Sequence, residues 1–273
     1  MRILATDLDR TLLPNGHWPA DPQAIPLFNQ LTSHNDILLV YVTGRNLALT
    51  EQAISEYGIR HPDVLCADVG STIRTYAGGQ WKFDEGWEKT LHRSSPRWEA
   101  DLVHASLVSI QGLRKQEPDN CNQFKQSYYV EHGRHTSVLQ AVETRLGGRF
   151  DEVIIYSYDS SLDRGLLDIL PASATKKTAL EYVSREHDIC KDSVVYCGDS
   201  GNDILPMKAG FSGVLVRNAD QQLLQEVSSA ARLDPQLRVY LAQGGFKGLN
   251  GYYTSGVIEG CYHYGIFTDD GAF

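Results

Sequence analysis

Cysteine, methionine and long apolar runs are scarce in this chain, and each scarcity closes off a class of protein. Among 273 residues there are five cysteines and two methionines. The cysteines (Cys66, Cys121, Cys190, Cys197, Cys261) are odd in number, scattered and never spaced as CxxC, so neither a disulfide framework nor a structural zinc site is expected. The longest apolar run, Ile37–Val42, is far shorter than the roughly 20 residues that cross a bilayer. The first residues, Met1-Arg2-Ile3-Leu4-Ala5-Thr6-Asp7, carry charge where a signal peptide has its apolar stretch, and no Asn-x-Ser/Thr acceptor occurs. An excess of basic residues is also missing. The 25 Lys and Arg against 34 Asp and Glu give a net charge of −9, which offers a polyanion no overall attraction. The expectation is a reduced, cytoplasmic, soluble protein whose partners include neither nucleic acid nor membrane.

What remains is ordinary globular composition, 42% hydrophobic and 22% charged, in a chain long enough for about two domains on the rough prior of 150 residues each. Short β-branched runs alternate with helical patterns, the mark of βα units and a parallel sheet. Ile3–Thr6, Ile37–Val42 and Val64–Val69 read as strands. Helices are expected from Asp21-Pro22 to about His34 and over Leu47–Tyr57, with Gly58 as a C-terminal cap. The pattern returns late: Thr175 caps a helix to about Glu186, Val194–Cys197 is a strand, Ile204–Ala209 a short helix and Val214–Val216 a strand. Between them, strands at Lys125–Glu131, Val153–Tyr158 and Leu166–Leu170 and a helix at Ser137–Leu146 follow a different rhythm. The fold class is therefore α/β, a doubly wound parallel-sheet (Rossmann-like) core over 1–82 and 172–273, with an α+β cap inserted over 83–171.

Two acidic segments each follow an expected strand: Asp7-Leu8-Asp9-Arg10-Thr11-Leu12 and Gly198-Asp199-Ser200-Gly201-Asn202-Asp203. Residues at the carboxyl ends of parallel strands collect in one crevice, where open α/β sheets bind ligands. Four carboxylates gathered there repel one another without a cation, and hard oxygen donors favour Mg2+. Val42-Thr43-Gly44-Arg45 adds a hydroxyl and backbone N–H groups ahead of a helix, and Lys176 a positive charge at a helix start. A carboxylate nucleophile, a metal, a hydroxyl and a lysine suit phosphoryl transfer, in which positioning and charge stabilisation dominate.

Taken together, DLDRTL, VTGRN, a lysine after Leu170-Pro171 and GDSGND resemble the haloacid dehalogenase superfamily over nearly the whole chain. LLVYVTGRN, PDVLCADVGSTI, FKQSYYVE, LDILP, CGDSGNDI, VRNA and a late Gly-Val-Ile-Glu-Gly-Cys-Tyr-His-Tyr segment resemble its sucrose-phosphate phosphatase branch. The resemblance implies a Mg2+-dependent phosphatase for sucrose 6-phosphate or a related phosphorylated disaccharide or glycoside. It makes Asp7 the nucleophile, Asp9 the general acid/base, and Thr43 and Lys176 the phosphate-binding groups. Mg2+ falls to Asp7, the Asp9 carbonyl and Asp199, with Asp203 in support. Gly44, Arg45, Gly70, Ser71, Lys125 and Asn202 fall on the substrate side, and association with a sugar-phosphate synthase is a further implication.

Two departures stand out. Lys176-Lys177 replaces the branch's Lys-Gly, and Tyr158–Gly165 reads as an insertion where the branch has a short glycine-containing turn over the sugar. The second favours another substrate, such as mannosylfructose phosphate or a glycosyl-phosphoglycerate. From a different class comes a non-catalytic partner of a glycosyltransferase, which would be expected to lack the carboxylates retained here. Singly, the motifs are weak, because Asp-x-Asp and Thr-Gly are ordinary turn chemistry; it is their joint order that carries the reading. His132 and His135 lack further metal ligands, Cys197 reads as a buried strand residue, Trp81, Phe83 and Trp87 line the core–cap boundary or pack the hinge, and Asp168 pairs within the cap or meets a sugar hydroxyl.

Overall fold

The computed structural model describes residues 1–33, 36–131, 133–159 and 163–268. The chain opens with β1 (Arg2–Thr6), α1 (Ala24–Leu31), β2 (Ile37–Val42), α2 (Leu47–Tyr57) and β3 (Val64–Ala67). β2 and β3 are buried at every position, as parallel strands covered on both faces require. A hairpin of β4 (Thr72–Ala77) and β5 (Gln80–Phe83) then turns at Gly78-Gly79, and α3 (Glu85–Ser94) follows. The inserted part comprises α4 (Ala100–Leu107), β6 (Leu113–Lys115), β7 (Gln126–Val130), α5 (His135–Leu146), β8 (Glu152–Asp159) and β9 (Arg164–Pro171). The chain returns through α6 (Lys176–Glu186), β10 (Val194–Gly198), α7 (Ile204–Met207), β11 (Ser212–Leu215), α8 (Gln221–Leu233), β12 (Val239–Leu241) and α9 (Thr254–His263).

Among the described residues the large sheet runs β12-β11-β10-β1-β2-β3-β4-β5, parallel from β12 to β3 and antiparallel beyond. One face carries Trp87 and Leu91 of α3, Leu180 of α6, Met207 of α7 and Leu223 of α8. The other carries Phe28 of α1, Ile54 of α2 and Ile258 of α9. α9 lies directly on β11 because it has no side chain at Gly260, where a Cβ would come within 2.3 Å of Val214. The small antiparallel sheet, β6-β7-β9-β8, packs Tyr128, Val130, Leu167 and Ile169 against Val103 and Leu107 of α4 and Val138, Val142 and Leu146 of α5. The expected boundary near residue 83 coincides with the end of β5, but α3 packs with the large sheet.

Candidate active site

β1 and β10 are neighbours, and the chain leaves them toward opposite sides of the sheet. The crevice beyond their carboxyl ends is thus the switch point of the fold. Asp7 and Asp199 stand immediately after these strands, and Asp203 lies one turn on. Carboxyl oxygens of all three fall within 4.8 Å of one another, and none of the residues is more than 3% exposed.

Lys176 meets them from the first turn of α6. Its ammonium is 2.9 Å from Asp7 Oδ1 and 2.8 Å from Asp203 Oδ1, and it donates to Asn202 Oδ1 at 2.8 Å. A fully buried lysine persists only with such partners. The helix start is fixed by Thr175, whose side chain accepts from the Thr178 N–H, and by Gly70. At Gly70 φ is +95°, and a Cβ would sit 2.4 Å from the Thr175 carbonyl oxygen and 2.8 Å from the Lys176 nitrogen. Gly70 thus lets the turn after β3 press on the backbone that carries the lysine. Lys177 is half-buried, and it is Lys176 whose ammonium meets the carboxylates of the cluster.

Asp203 is a scaffold for its own loop. Its Oδ2 accepts the backbone N–H groups of Asp199 and Ser200, and its Oδ1 accepts the Tyr196 hydroxyl at 2.5 Å besides Lys176. Tyr196 is a residue the sequence conceals, since a tyrosine inside an apolar strand reads as core. Burial, opposed by Lys176 and reinforced by Asp203 and Asp9, pushes the Asp7 carboxyl up to about 7. Burial raises Asp199 well above the carboxylate range, against the pull of Arg10. The cluster holds more negative charge than its own cations balance, which is the condition a hard divalent cation relieves.

Asp9 is placed otherwise. Arg45 grips it with two parallel bonds, Nε to Oδ2 at 2.9 Å and Nη2 to Oδ1 at 2.7 Å, and Asn15 Nδ2 adds a third at 2.7 Å. Burial alone would raise the Asp9 carboxyl, but Arg45 and Asn15 outweigh it and hold the group below its ordinary range. Arg45, expected on the substrate side, is therefore seen on Asp9. Thr43, wholly buried, follows β2 and accepts the Arg45 N–H at 3.1 Å, keeping its own proton to donate. Gly44 faces open space, its nearest neighbour in reach of a Cβ being Val69 at 3.9 Å.

The cap closes the crevice. Asn122 Nδ2 donates to Ser71 Oγ at 3.0 Å, and Asn46 Nδ2, from the N-cap of α2, donates to the Asp119 carbonyl at 2.8 Å. Lys125 is 4% exposed; its ammonium donates to the Asn120 carbonyl at 2.9 Å and lies 3.5 Å from Asp168, which also accepts the Ser127 hydroxyl. Asp168 thus pairs within the cap. Tyr158–Gly165 extends the β8–β9 hairpin, whose pairing continues out to Asp159 and Arg164; residues 160–162 lie outside the described residues. So does His132, while His135 stacks near Tyr156. Trp87 is buried and donates to the Gly70 carbonyl at 3.1 Å. Trp81 instead packs beside Tyr76, and Phe83 is more than a third exposed beneath Arg74. Cys197 is a buried strand residue.

The sequence profile of a family described as sucrose-6F-phosphate phosphohydrolase matches residues 1–265. The chain belongs to this family. Membership makes it a phosphoric monoester hydrolase of the haloacid dehalogenase type. A HAD-like hydrolase of Nitrosococcus oceani is 39% identical over 96% of this chain and 71% of its own. Sucrose-phosphatase 2 of Nicotiana tabacum is 31% identical over 86% of this chain but 54% of its own, so the chain spans about half the length of that plant relative. The mannosylfructose-phosphate phosphatase of Agrobacterium fabrum is 28% identical over 97% and 98% of the two chains. The crystal structure of the Synechocystis sucrose-phosphatase, in complex with sucrose and phosphate, superposes with a TM-score of 0.79 at 26% identity, covering 97% of this chain and 99% of that one. The expected parallel-sheet core with an inserted cap is the fold the family member shows.

Proposed function

We propose that this family member is a Mg2+-dependent phosphatase hydrolysing sucrose 6-phosphate or a closely related phosphorylated disaccharide through a phosphorylated Asp7. The observation that carries this reading is the meeting of Asp7, Asp199, Asp203 and Lys176 in one buried cluster at the switch point of the sheet. An Asp7 carboxylate oxygen attacks phosphorus and the bond to the sugar oxygen breaks, with a proton from Asp9 going to the departing alcohol. Water then attacks the aspartyl phosphate while Asp9 takes its proton, releasing phosphate. Held by Arg45, Asp9 rests as the carboxylate that the second half needs. To serve as acid in the first half it must loosen from Arg45 and carry a proton. Lys176 and the Thr43 hydroxyl lie where the negative oxygens of the transferring group gather.

The donor set fits a hard cation: Asp7 and Asp199, with the Asp9 carbonyl by resemblance, would hold Mg2+, and Asp203 would brace their loop. Bound there, Mg2+ supplies charge neutralisation for the transferring group. A mannosylfructose phosphate substrate is the second reading, favoured by the end-to-end match with the Agrobacterium enzyme. We read the cytoplasm as its location and a sugar-phosphate synthase as its partner, a point that co-purification from the source cell checks. No helix among the described residues is long and apolar enough to cross a membrane.

The deciding experiment is a turnover screen over phosphorylated mono- and disaccharides, with an aryl phosphate as reference and a chelator control. A disaccharide phosphate is expected to exceed the aryl phosphate in kcat/KM by at least tenfold, on the order of one good sugar contact. All activity should vanish with the chelator and return with Mg2+. No preference for any sugar phosphate, or full rate without a divalent ion, rejects the reading.

A further inference from the structure

The cluster contains two protein cations of unequal standing. Lys176 serves Asp7 and Asp203, is 1% exposed, and has no route out. Asp199 draws on a different pair: the Thr11 hydroxyl donates to its Oδ1 at 3.1 Å, and Arg10 Nε stands 3.2 Å from its Oδ2. The Arg10 side chain is a quarter exposed against 2% for that of Asp199, so one end of this ion pair is open to solvent while the other is sealed in the cluster.

Arg10 is also aimed. Its backbone has φ of +56°, a left-handed conformation that arginine seldom adopts and asparagine tolerates. The conformation is held from both sides, by Asn15 Oδ1 accepting the Arg10 N–H at 2.7 Å and by Asn218 Nδ2 donating to the Arg10 carbonyl at 2.6 Å. Asp220, the N-cap of α8, lies within electrostatic reach of Arg10 and offers an alternative carboxylate nearer the surface. Among the described residues, the ionisable groups within electrostatic reach of the guanidinium include Asp199 within, Asp220 without and the Tyr253 hydroxyl.

We propose that Arg10 is a built-in counter-cation for Asp199 that competes with the divalent ion and sets how tightly this site loads. The proposal rests on reading the carboxylate cluster as a cation site. A cation added at the Asp199 carboxylate meets the Arg10 charge already beside Oδ2, so loading is expected to drive Arg10 outward while Lys176 stays. Loading is then weaker than the carboxylates alone would make it, and the cation-free protein is spared an unpaired buried charge.

The test is calorimetric titration of MgCl2 into the chelator-stripped full chain, with no substrate present, for the wild type, Arg10→Asn and Arg10→Lys. Arg10→Asn keeps the backbone conformation and removes the charge. It is expected to bind Mg2+ about tenfold more tightly, the equivalent of one partly buried ion pair released, and to unfold at a lower temperature when cation-free. Arg10→Lys should fall between the two. In the wild type, the Arg10 Nε–H resonance should shift in step with Mg2+ loading, a readout independent of any variant's folding. Equal or weaker Mg2+ binding by Arg10→Asn, or an Nε–H resonance unmoved at saturation, overturns the proposal. Failure of the wild type to bind Mg2+ at all instead rejects the cation site on which it rests.

Discussion

At the scale of single residues, Asp7 and Asp9 differ in what surrounds them, and the difference assigns their tests. Asp7→Asn removes the attacking oxygen's charge but keeps the side-chain shape, and Lys176 retains Asp203 and Asn202 as acceptors. Turnover is expected to drop by at least about 10³-fold, or ~4 kcal/mol of barrier, with an unchanged far-ultraviolet circular dichroism spectrum. Arg45→Met acts through Asp9. Losing the fork lets the Asp9 carboxyl rise from its depressed range. Activity that needs ionised Asp9 disappears as pH falls through its pKa, so the acid limb of the kcat profile should move to higher pH. KM should stay within about twofold, because nothing that binds substrate is removed; a rise in KM with an unmoved acid limb would return Arg45 to the substrate side. The acidic motifs and Lys176 were legible because each follows a strand that its own apolar run announces. The Arg45–Asp9 pair was not, since 36 residues separate the partners and only the parallel pairing of β1 with β2 brings them together.

At the scale of elements, agreement is closest where a cap and a periodic run coincide. α2 ends at Gly58 and α6 begins after Thr175, as their sequences indicate. Val64–Val69 was read as one strand, yet the chain leaves the sheet at Ala67 and turns tightly through Asp68–Gly70. That turn is buried throughout and its Val69 resembles a strand residue, so its work in seating α6 shows only in contact. Gly70→Ala tests this work. A Cβ there meets main chain on α6, not the yielding end of a side chain, and strained φ adds to overpacking. We expect a stability loss of about 2–4 kcal/mol, measured by urea unfolding, and a fall in kcat larger than in any glycine substitution of the β4–β5 turn at Gly78 or Gly79, where a Cβ meets nothing. Helices α3, α4, α8 and α9 escaped the sequence reading: α3 and α8 show strongly polar outward faces over few buried contacts, such as Trp87 and Leu91 in α3, α4 is only eight residues long, and α9 is buried along nearly its whole length and so shows no apolar stripe.

At the scale of the whole molecule, we propose that the division between core and cap is a division between chemistry and choice of substrate. The core loops present charge and hydroxyl groups common to any phosphate monoester, so they carry little information about the sugar. Such information must come from polar groups over the crevice, and we propose for that role the cap's Lys125, Ser127 and Asp168, which form one linked set anchored through Asn120. A site built to pair sugar hydroxyls rejects a molecule that leaves those groups unpaired. Lys125→Ala is therefore expected to lower kcat/KM for the best sugar phosphate by about 2–3 kcal/mol, the range of a charge-assisted hydrogen bond. Hydrolysis of an aryl phosphate, which lacks the hydroxyls, should change by less than about threefold on the same reasoning. Because Lys125 is itself buried, its loss also leaves Asp168 with less compensation, so thermal unfolding of the variant must be measured alongside. Adding Asp168→Asn to Lys125→Ala separates the two effects: it keeps an acceptor for the Ser127 hydroxyl and removes the unpaired charge, so it should restore the unfolding temperature without restoring the preference among sugar phosphates. Equal losses on every substrate, in step with a lower unfolding temperature, would show that the Lys125–Asp168 pair holds the cap in shape and that selection of the sugar lies with the core loops at Arg45 and Ser71.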